Sequence, residues 1–177
     1  MNETVYVLDS NIFITPHKTY YRFAFCPGYW DFIRLQFENK NTISIRKVHD
    51  EITHNEDKLS DWLKSELNKS LFIDTLKDNK VQTKYEEISS WVLNHVQYTD
   101  TAKRVFLAVE EADPWLCAHA AVYGETVVTN ETSKPFSKSK ISLVDVLDAF
   151  GVSHIGIFEY LEAQQAKFVF KSMPKKV

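Results

Sequence analysis

Two short apolar runs in this chain each end in a carboxylate. Val5-Tyr6-Val7-Leu8 stops at Asp9, with an amide, Asn11, two residues on; Thr126-Val127-Val128-Thr129 stops at Asn130-Glu131. Continuous β-branched and apolar runs of this length, bounded by polar residues, predict strands buried on both faces, here over 4–8 and 125–129. Thr42–Ile45, His154–Ile157 and Lys167–Phe170 predict further short strands. Between them the apolar spacing changes to steps of three and four, the mark of helices. Trp30, Ile33, Leu35 and Phe37 predict a helix over about 29–40, led in by a turn at Cys26-Pro27-Gly28. Val48 and Ile52 begin a second; Leu59, Trp62, Leu63 and Leu67 continue the pattern, and Tyr85, Ile88, Trp91, Val92 and His95 form another stripe. Asp100 is placed to cap a helix carrying Ala102, Val105 and Phe106. Asp113-Pro114 reads as a helix opening with Asp as cap and Pro at the first helical position, and Gly124 ends that helix. Helices from about Ser142 to Phe150 and over about 158–165 complete the pattern, and a ring-rich loop holding His17, Tyr20, Tyr21, Phe23 and Phe25 follows the first strand.

Strands alternating with helices predict an α/β fold, a mostly parallel sheet with helices on both faces. No repeat or long Gly/Ser/Pro linker divides the chain, so residues 1–177 are expected to form a single domain with its core over about 4–170. In an open sheet of this kind ligands sit at the carboxyl ends of the strands, where the acids Asp9 and Glu131 are delivered.

Composition narrows the picture in a few places. At 177 residues, 44% hydrophobic and 25% charged, the chain can bury a sizeable core. A net charge of −3 argues against a general nucleic-acid coat but leaves room for a local basic patch. Cys26 and Cys117 make no disulfide framework. The amino terminus has no basic segment followed by an apolar stretch, and no apolar run reaches the roughly 20 residues of a membrane span, so a soluble cytoplasmic protein without membrane contact is expected.

The candidate chemistry is acidic. Asp9 ends the first strand, Glu51 lies in the first turns after the second, Asp113 opens a helix and Glu131 follows the later strand. Each also has a bland reading: a turn acid, a solvated helix face, a cap, a loop acid. Together they place carboxylates at element ends that can meet at one sheet edge, and grouped carboxylates repel unless a cation neutralises them. Hard oxygen donors suit Mg²⁺ or Mn²⁺. Asp145 and Asp148 share a late helix and have a structural reading beside a functional one. Lys134, Lys138 and Lys140 follow Glu131 closely and are placed to grip phosphates, or else form an ordinary solvated loop. The rings from Tyr20 to Trp30 could stack bases, form core or lid, or anchor a partner.

Competing chemistries fail on particular residues. A phosphatase with an aspartyl nucleophile at Asp9 wants an acid where Asn11 stands, and an amide cannot donate and retrieve a proton. His49 and His54 are five apart, about 500° around a helix, so they diverge by roughly 140° and cannot share a zinc ion as a protease helix requires. No Gly-rich phosphate loop and no Cys/His zinc spacing is present. His119, four residues after Trp115, reads as a packed or surface histidine.

The ordered set Leu8-Asp9-Ser10-Asn11, Val48-His49-Asp50-Glu51-Ile52, Ala112-Asp113-Pro114-Trp115-Leu116 and Val127-Val128-Thr129-Asn130-Glu131 resembles a PIN domain. It is most similar to an uncharacterised bacterial PIN-like family with Cys-Pro-Gly-Tyr/Phe-Trp after the first strand and Ala-Asp-Pro-Trp-Leu later. The resemblance runs from Tyr6 to about Phe170. It implies a three-layer parallel-sheet PIN-like fold and a metal-dependent endoribonuclease, often the toxin of a type II toxin–antitoxin pair. It puts Asp9, Glu51, Asp113 and Glu131 at the catalytic positions, with Asp9, Asp113, Glu131 and, in addition, Asp145 as candidate ligands for Mg²⁺ or Mn²⁺. Asn11 and Thr129 match polar positions that orient the acids or a water. The family usually has Asp where Glu131 stands, which bears on a second metal position. The implied partners are RNA, a protein antitoxin encoded alongside, and a second copy in a homodimer. A non-catalytic PIN-like module that binds RNA or protein is the alternative reading.

Overall fold

The computed structural model describes residues 4–169. Among them four strands pair into one parallel sheet in the order β2–β1–β3–β4, with β1 at Tyr6–Leu8, β2 at Thr42–Ile43, β3 at Thr126–Val128 and β4 at His154–Ile155. The α/β architecture read from the alternation is therefore present. In register, Leu8 lies opposite Val128, so the next residues, Asp9 and Thr129, leave the sheet side by side. The Asp9 amide donates to the Val128 carbonyl at 3.0 Å and the Thr129 amide to the Ile155 carbonyl at 3.0 Å, carrying the pairing up to the strand ends.

The chain steps from β1 one way to β2, then back past β1 to β3 and on to β4. Right-handed crossovers then place the two sets of helices on opposite faces, and the strand order reverses between β1 and β3. On one face lie α1 (Asn11–Lys18), α2 (Pro27–Glu38) and α9 (Ile157–Ala163), tied by Tyr160, whose ring packs on Tyr6 and Phe32 and whose hydroxyl bonds the buried Thr42 hydroxyl at 2.7 Å. On the other, α5 (Asn79–Asn94) packs along α7 (Asp113–Tyr123), which in turn meets β3 and α8 (Leu143–Ala149). The remaining helices are α3 (Arg46–Thr53), α4 (Lys58–Glu66) and α6 (Asp100–Phe106). No helix among the described residues is long and apolar enough to cross a membrane.

Several elements differ from expectation for physical reasons. The ring-rich stretch after β1 opens as α1 rather than as loop. Pro16 inside it has no N–H to give the Ile12 carbonyl, and the buried Tyr29 hydroxyl donates to that carbonyl instead at 2.6 Å. A tertiary bond thus rescues a helix that local preference disfavours. β2 is shorter than predicted because the backbone past Ile43 pairs instead with Ile73, whose amide donates to the Ser44 carbonyl at 2.9 Å, while the Ser44 hydroxyl reaches the Leu8 carbonyl at 2.6 Å. Thr99, not Asp100, caps α6, accepting from the Ala102 amide at 3.2 Å. Asp113 is the first helical residue rather than the cap, which frees its carboxylate for the sheet edge. Gly124 ends α7 in the left-handed region at φ 69°, as its position suggested. β4 covers only His154–Ile155; Lys167–Val169 form no strand, and Phe170 lies outside the described residues.

The aromatic segment is mostly core. Tyr29 and Trp30 are 0% and 2% exposed, whereas Phe25 stands 64% exposed. Trp30 packs against Phe23 and Trp62 at centroid distances of 4.3 and 5.0 Å and donates its indole N–H to the Tyr21 carbonyl at 2.6 Å. His17 and His49 sit beside rings of this core, and burial lowers the pKa of both. Trp30→Ala is expected to cost about 3–5 kcal/mol, through the cavity left and the orphaned carbonyl. Denaturant unfolding should show the midpoint falling with its slope unchanged; a loss under about 1 kcal/mol would mean that this cluster does not hold α1, α2 and α4 together.

Candidate functional site

The neighbouring carboxyl ends of β1 and β3 are locked by an amide–hydroxyl lattice. Asn11, at the start of α1, donates to Asp9 Oδ2 at 2.5 Å and to Thr129 Oγ1 at 3.0 Å, and its own carbonyl accepts from the Asn130 amide at 2.9 Å. Thr129 donates to the same Asp9 oxygen at 2.7 Å and accepts from the Glu131 amide at 3.0 Å. Both donors therefore converge on Oδ2 of Asp9. Oδ1 receives only a long contact from Ser10, at 3.3 Å. The Ser10 hydroxyl also lies 3.0 Å from Glu51 Oε1, joining α3 to the end of β1.

Asp9, Glu51, Asp113 and Glu131 all line one cavity of about 230 Å³, together with Ser10, Asn11, Glu111 and Lys140. The structure thus brings together the acids singled out from sequence at the point where the strand order reverses. Asp9 is 2% exposed. Burial pushes its carboxyl up to about 6, with the charge of Glu131 adding to the effect while bonds from Thr129 and Ser10 oppose it. Asp113 is raised well above the usual carboxylate range, first by burial and then by Asp9, Glu131, Glu51 and Glu111. Glu51, at the solvent-facing rim, is raised by desolvation and by Asp9 despite the Ser10 bond. Glu111 is raised by desolvation and by Glu110.

Glu131 behaves differently. Burial alone would raise it, but its bonds outweigh that and hold its carboxyl below the usual value. Oε1 pairs with Lys140 Nζ at 2.8 Å. Oε2 accepts from the Ser142 hydroxyl at 3.1 Å and the Leu143 amide at 3.0 Å, so Glu131 caps α8 from outside. Lys140 is correspondingly raised by Glu131, against some desolvation.

Other residues named from sequence are placed elsewhere. Asp145 does not line the cavity: its Oδ1 accepts from the Ser133 hydroxyl at 2.6 Å, and it also accepts from the Lys134 amide at 3.1 Å, so it anchors the lysine loop. A metal-ligand role for it has no geometric support. Lys134 and Lys138 are exposed on that loop, while Lys140 points back to Glu131. His119 is a packed histidine, 2% exposed, with Nδ1 2.8 Å from Glu125. Ser10, Glu111 and Ser142 were not singled out from sequence. Ser10 had a signal, its place between Asp9 and Asn11; Glu111 and Ser142 gave none, since their neighbours are long-range.

Every charged donor facing the cavity apart from Lys140 is a carboxylate, an all-oxygen set that suits Mg²⁺ or Mn²⁺ rather than zinc. Among the described residues no group of three or more His, Cys, Asp or Glu side chains is drawn together closely enough to hold a metal ion as placed. Two of the acids are held by partners of their own, Glu131 by Lys140 and α8, and Glu51 by Ser10. Asp9 and Asp113, both raised by burial and by the charge of Glu131, with Asp9 also raising Asp113, are the pair whose repulsion a cation would relieve. The donor chemistry therefore fits a hard divalent ion.

Comparison with known proteins adds the fold and the family. A search of the curated proteins finds no match. Among solved structures, a chain in the crystal structure of VapBC2 from Rickettsia felis, bound to a DNA fragment from their promoter, superposes with a TM-score of 0.50 at 17% identity, covering 86% of this chain and 98% of that one. At this identity the likeness concerns the fold alone, the parallel-sheet α/β architecture expected from the sequence. The sequence matches the model described as a domain of unknown function, DUF4411, over residues 6–168, a span holding every acid of the cavity. The chain belongs to the DUF4411 family.

Proposed function

We propose that this protein is a metal-dependent endoribonuclease and the toxin of a toxin–antitoxin pair. The observation that carries the reading is the convergence of Asp9, Glu51, Asp113 and Glu131 on one cavity where the strand order reverses. The fold shared with a chain of a VapBC2 assembly and the PIN-like order of the motifs support it.

Asp9 and Asp113 would hold Mg²⁺ or Mn²⁺, with Glu131 and Glu51 at its sides. When bound, such an ion lowers the pKa of a water and neutralises charge growing on a phosphodiester. The chain's own residues do the positioning. Asn11 and Thr129 fix Asp9 through Oδ2, while Oδ1 has a long contact with Ser10. Ser10 keeps Glu51 at the rim, where a carboxylate can hold an incoming water by hydrogen bonding. The Asp145-anchored loop presents Lys134 and Lys138 to solvent on the segment that leads to Lys140 in the cavity wall, and there they would grip the backbone of single-stranded or structured RNA. In this reading control falls to an antitoxin or a second copy covering the acidic edge.

Incubation with total RNA tests the activity. Cleavage should require Mg²⁺ or Mn²⁺, stop on chelation, and fall at least about 100-fold in Asp113→Asn, which removes one buried charge from the set. Cleavage that survives both chelation and the substitution would overturn the mechanism.

Expression in a host without the neighbouring gene tests the toxin role. Wild type should arrest growth and Asp9→Asn should not. The amide can keep its oxygen toward Asn11 and Thr129 and its nitrogen toward Ser10, so the variant should fold while losing the charge. Normal growth with folded wild-type protein would favour the non-catalytic binding module.

A further inference from the structure

The geometry points to Lys140 as a displaceable internal counter-ion that competes with the divalent metal for Glu131. The inference rests on the metal reading above but goes beyond it, because it concerns how the metal-free protein tolerates its acids and what must move on loading.

Glu131 differs from its neighbours in being saturated. One oxygen holds Lys140 at 2.8 Å; the other is occupied by Ser142 and the start of α8. It cannot turn to a metal through Oε1 while the ammonium is there. The ammonium in turn reaches this place from a loop and not from a packed helix. Lys140 follows Ser139 at the cavity wall and is tethered by its backbone amide to the Ser137 hydroxyl at 3.1 Å. The side chains of Lys140 and Glu131 are 54% and 23% exposed, so water can replace either partner and the pair is cheap to break. Lys134 and Lys138 on the same loop make no such contact with the acids. One cation is therefore singled out and set where it offsets the repulsion of Asp9, Asp113 and Glu131.

A metal ion entering the cavity meets Lys140 as a like charge and as a rival for the same carboxylate oxygen. Loading then expels the ammonium toward the mouth, leaving it free beside Lys134 and Lys138. The resting site is neutralised by the protein and the loaded site by the metal.

Calorimetric titration of Mn²⁺ into wild type, Lys140→Gln, Lys140→Arg and Asp9→Asn is the test. Lys140→Gln should bind Mn²⁺ about two- to fivefold tighter, the factor an exposed ion pair is worth, while Lys140→Arg stays near wild type. A parallel measurement uses wild type alone: brief acetylation with peptide mass mapping, with and without Mn²⁺. Acetylation of Lys140 relative to Lys134 and Lys138 should rise on adding the ion. Equal or weaker Mn²⁺ binding in Lys140→Gln overturns the proposal, as does unchanged Lys140 acetylation while Mn²⁺ binding is measured and lost in Asp9→Asn. If wild type binds no Mn²⁺ at all, the metal reading itself falls, an outcome distinct from either of those.

Discussion

Like charges held close together in a partly dry space are the constraint on which this structure turns. Burial pushes up both Asp9 and Asp113; the charge of Glu131 adds to the effect on each, and those of Asp9, Glu51 and Glu111 add to it on Asp113. A core chosen for stability alone would not assemble such a group. The surroundings make it tolerable in two ways: neutral donors fix the orientation of Asp9, and Lys140 supplies positive charge at Glu131. Both devices depend on β1 and β3 being adjacent and in register, so that Asp9 and Thr129 emerge together.

The aromatic core serves the same end at a distance. Tyr29 completes the hydrogen bonding of a proline-containing α1, whose first residue is Asn11. Trp30 ties Phe23, Tyr21 and Trp62 behind it. A lattice in which one amide spans Asp9, Thr129 and Asn130 needs its helix start fixed, and the packed rings supply that rigidity.

Much of this was legible in the sequence because it is written locally. Apolar runs ending in Asp9 and in Asn130-Glu131 announce buried strands with acids at their ends, and Asp113-Pro114 with Gly124 brackets α7. Features that depend on residues far apart in the chain were not legible. α1 was hidden because Pro16 argues against a helix until Tyr29 is known to reach Ile12. Asp145 lies in the first turn of α8 as Asp113 does in that of α7, but its side chain turns to Ser133 and Lys134. Lys140 looked like one of three equivalent loop lysines, and only the folded chain separates it from Lys134 and Lys138. The segment after Lys167 has the composition of a strand yet has no partner strand through Val169.

The account's central claim is that the acids at the β1–β3 junction form one divalent-metal site. Crystals grown near neutral pH and soaked in Mn²⁺, with anomalous diffraction recorded at the manganese edge, test it most directly. The account predicts a peak inside the cavity, in contact with Asp9 and Asp113. A soaked crystal with no peak there, or with its strongest peak on surface carboxylates outside the cavity, would contradict it.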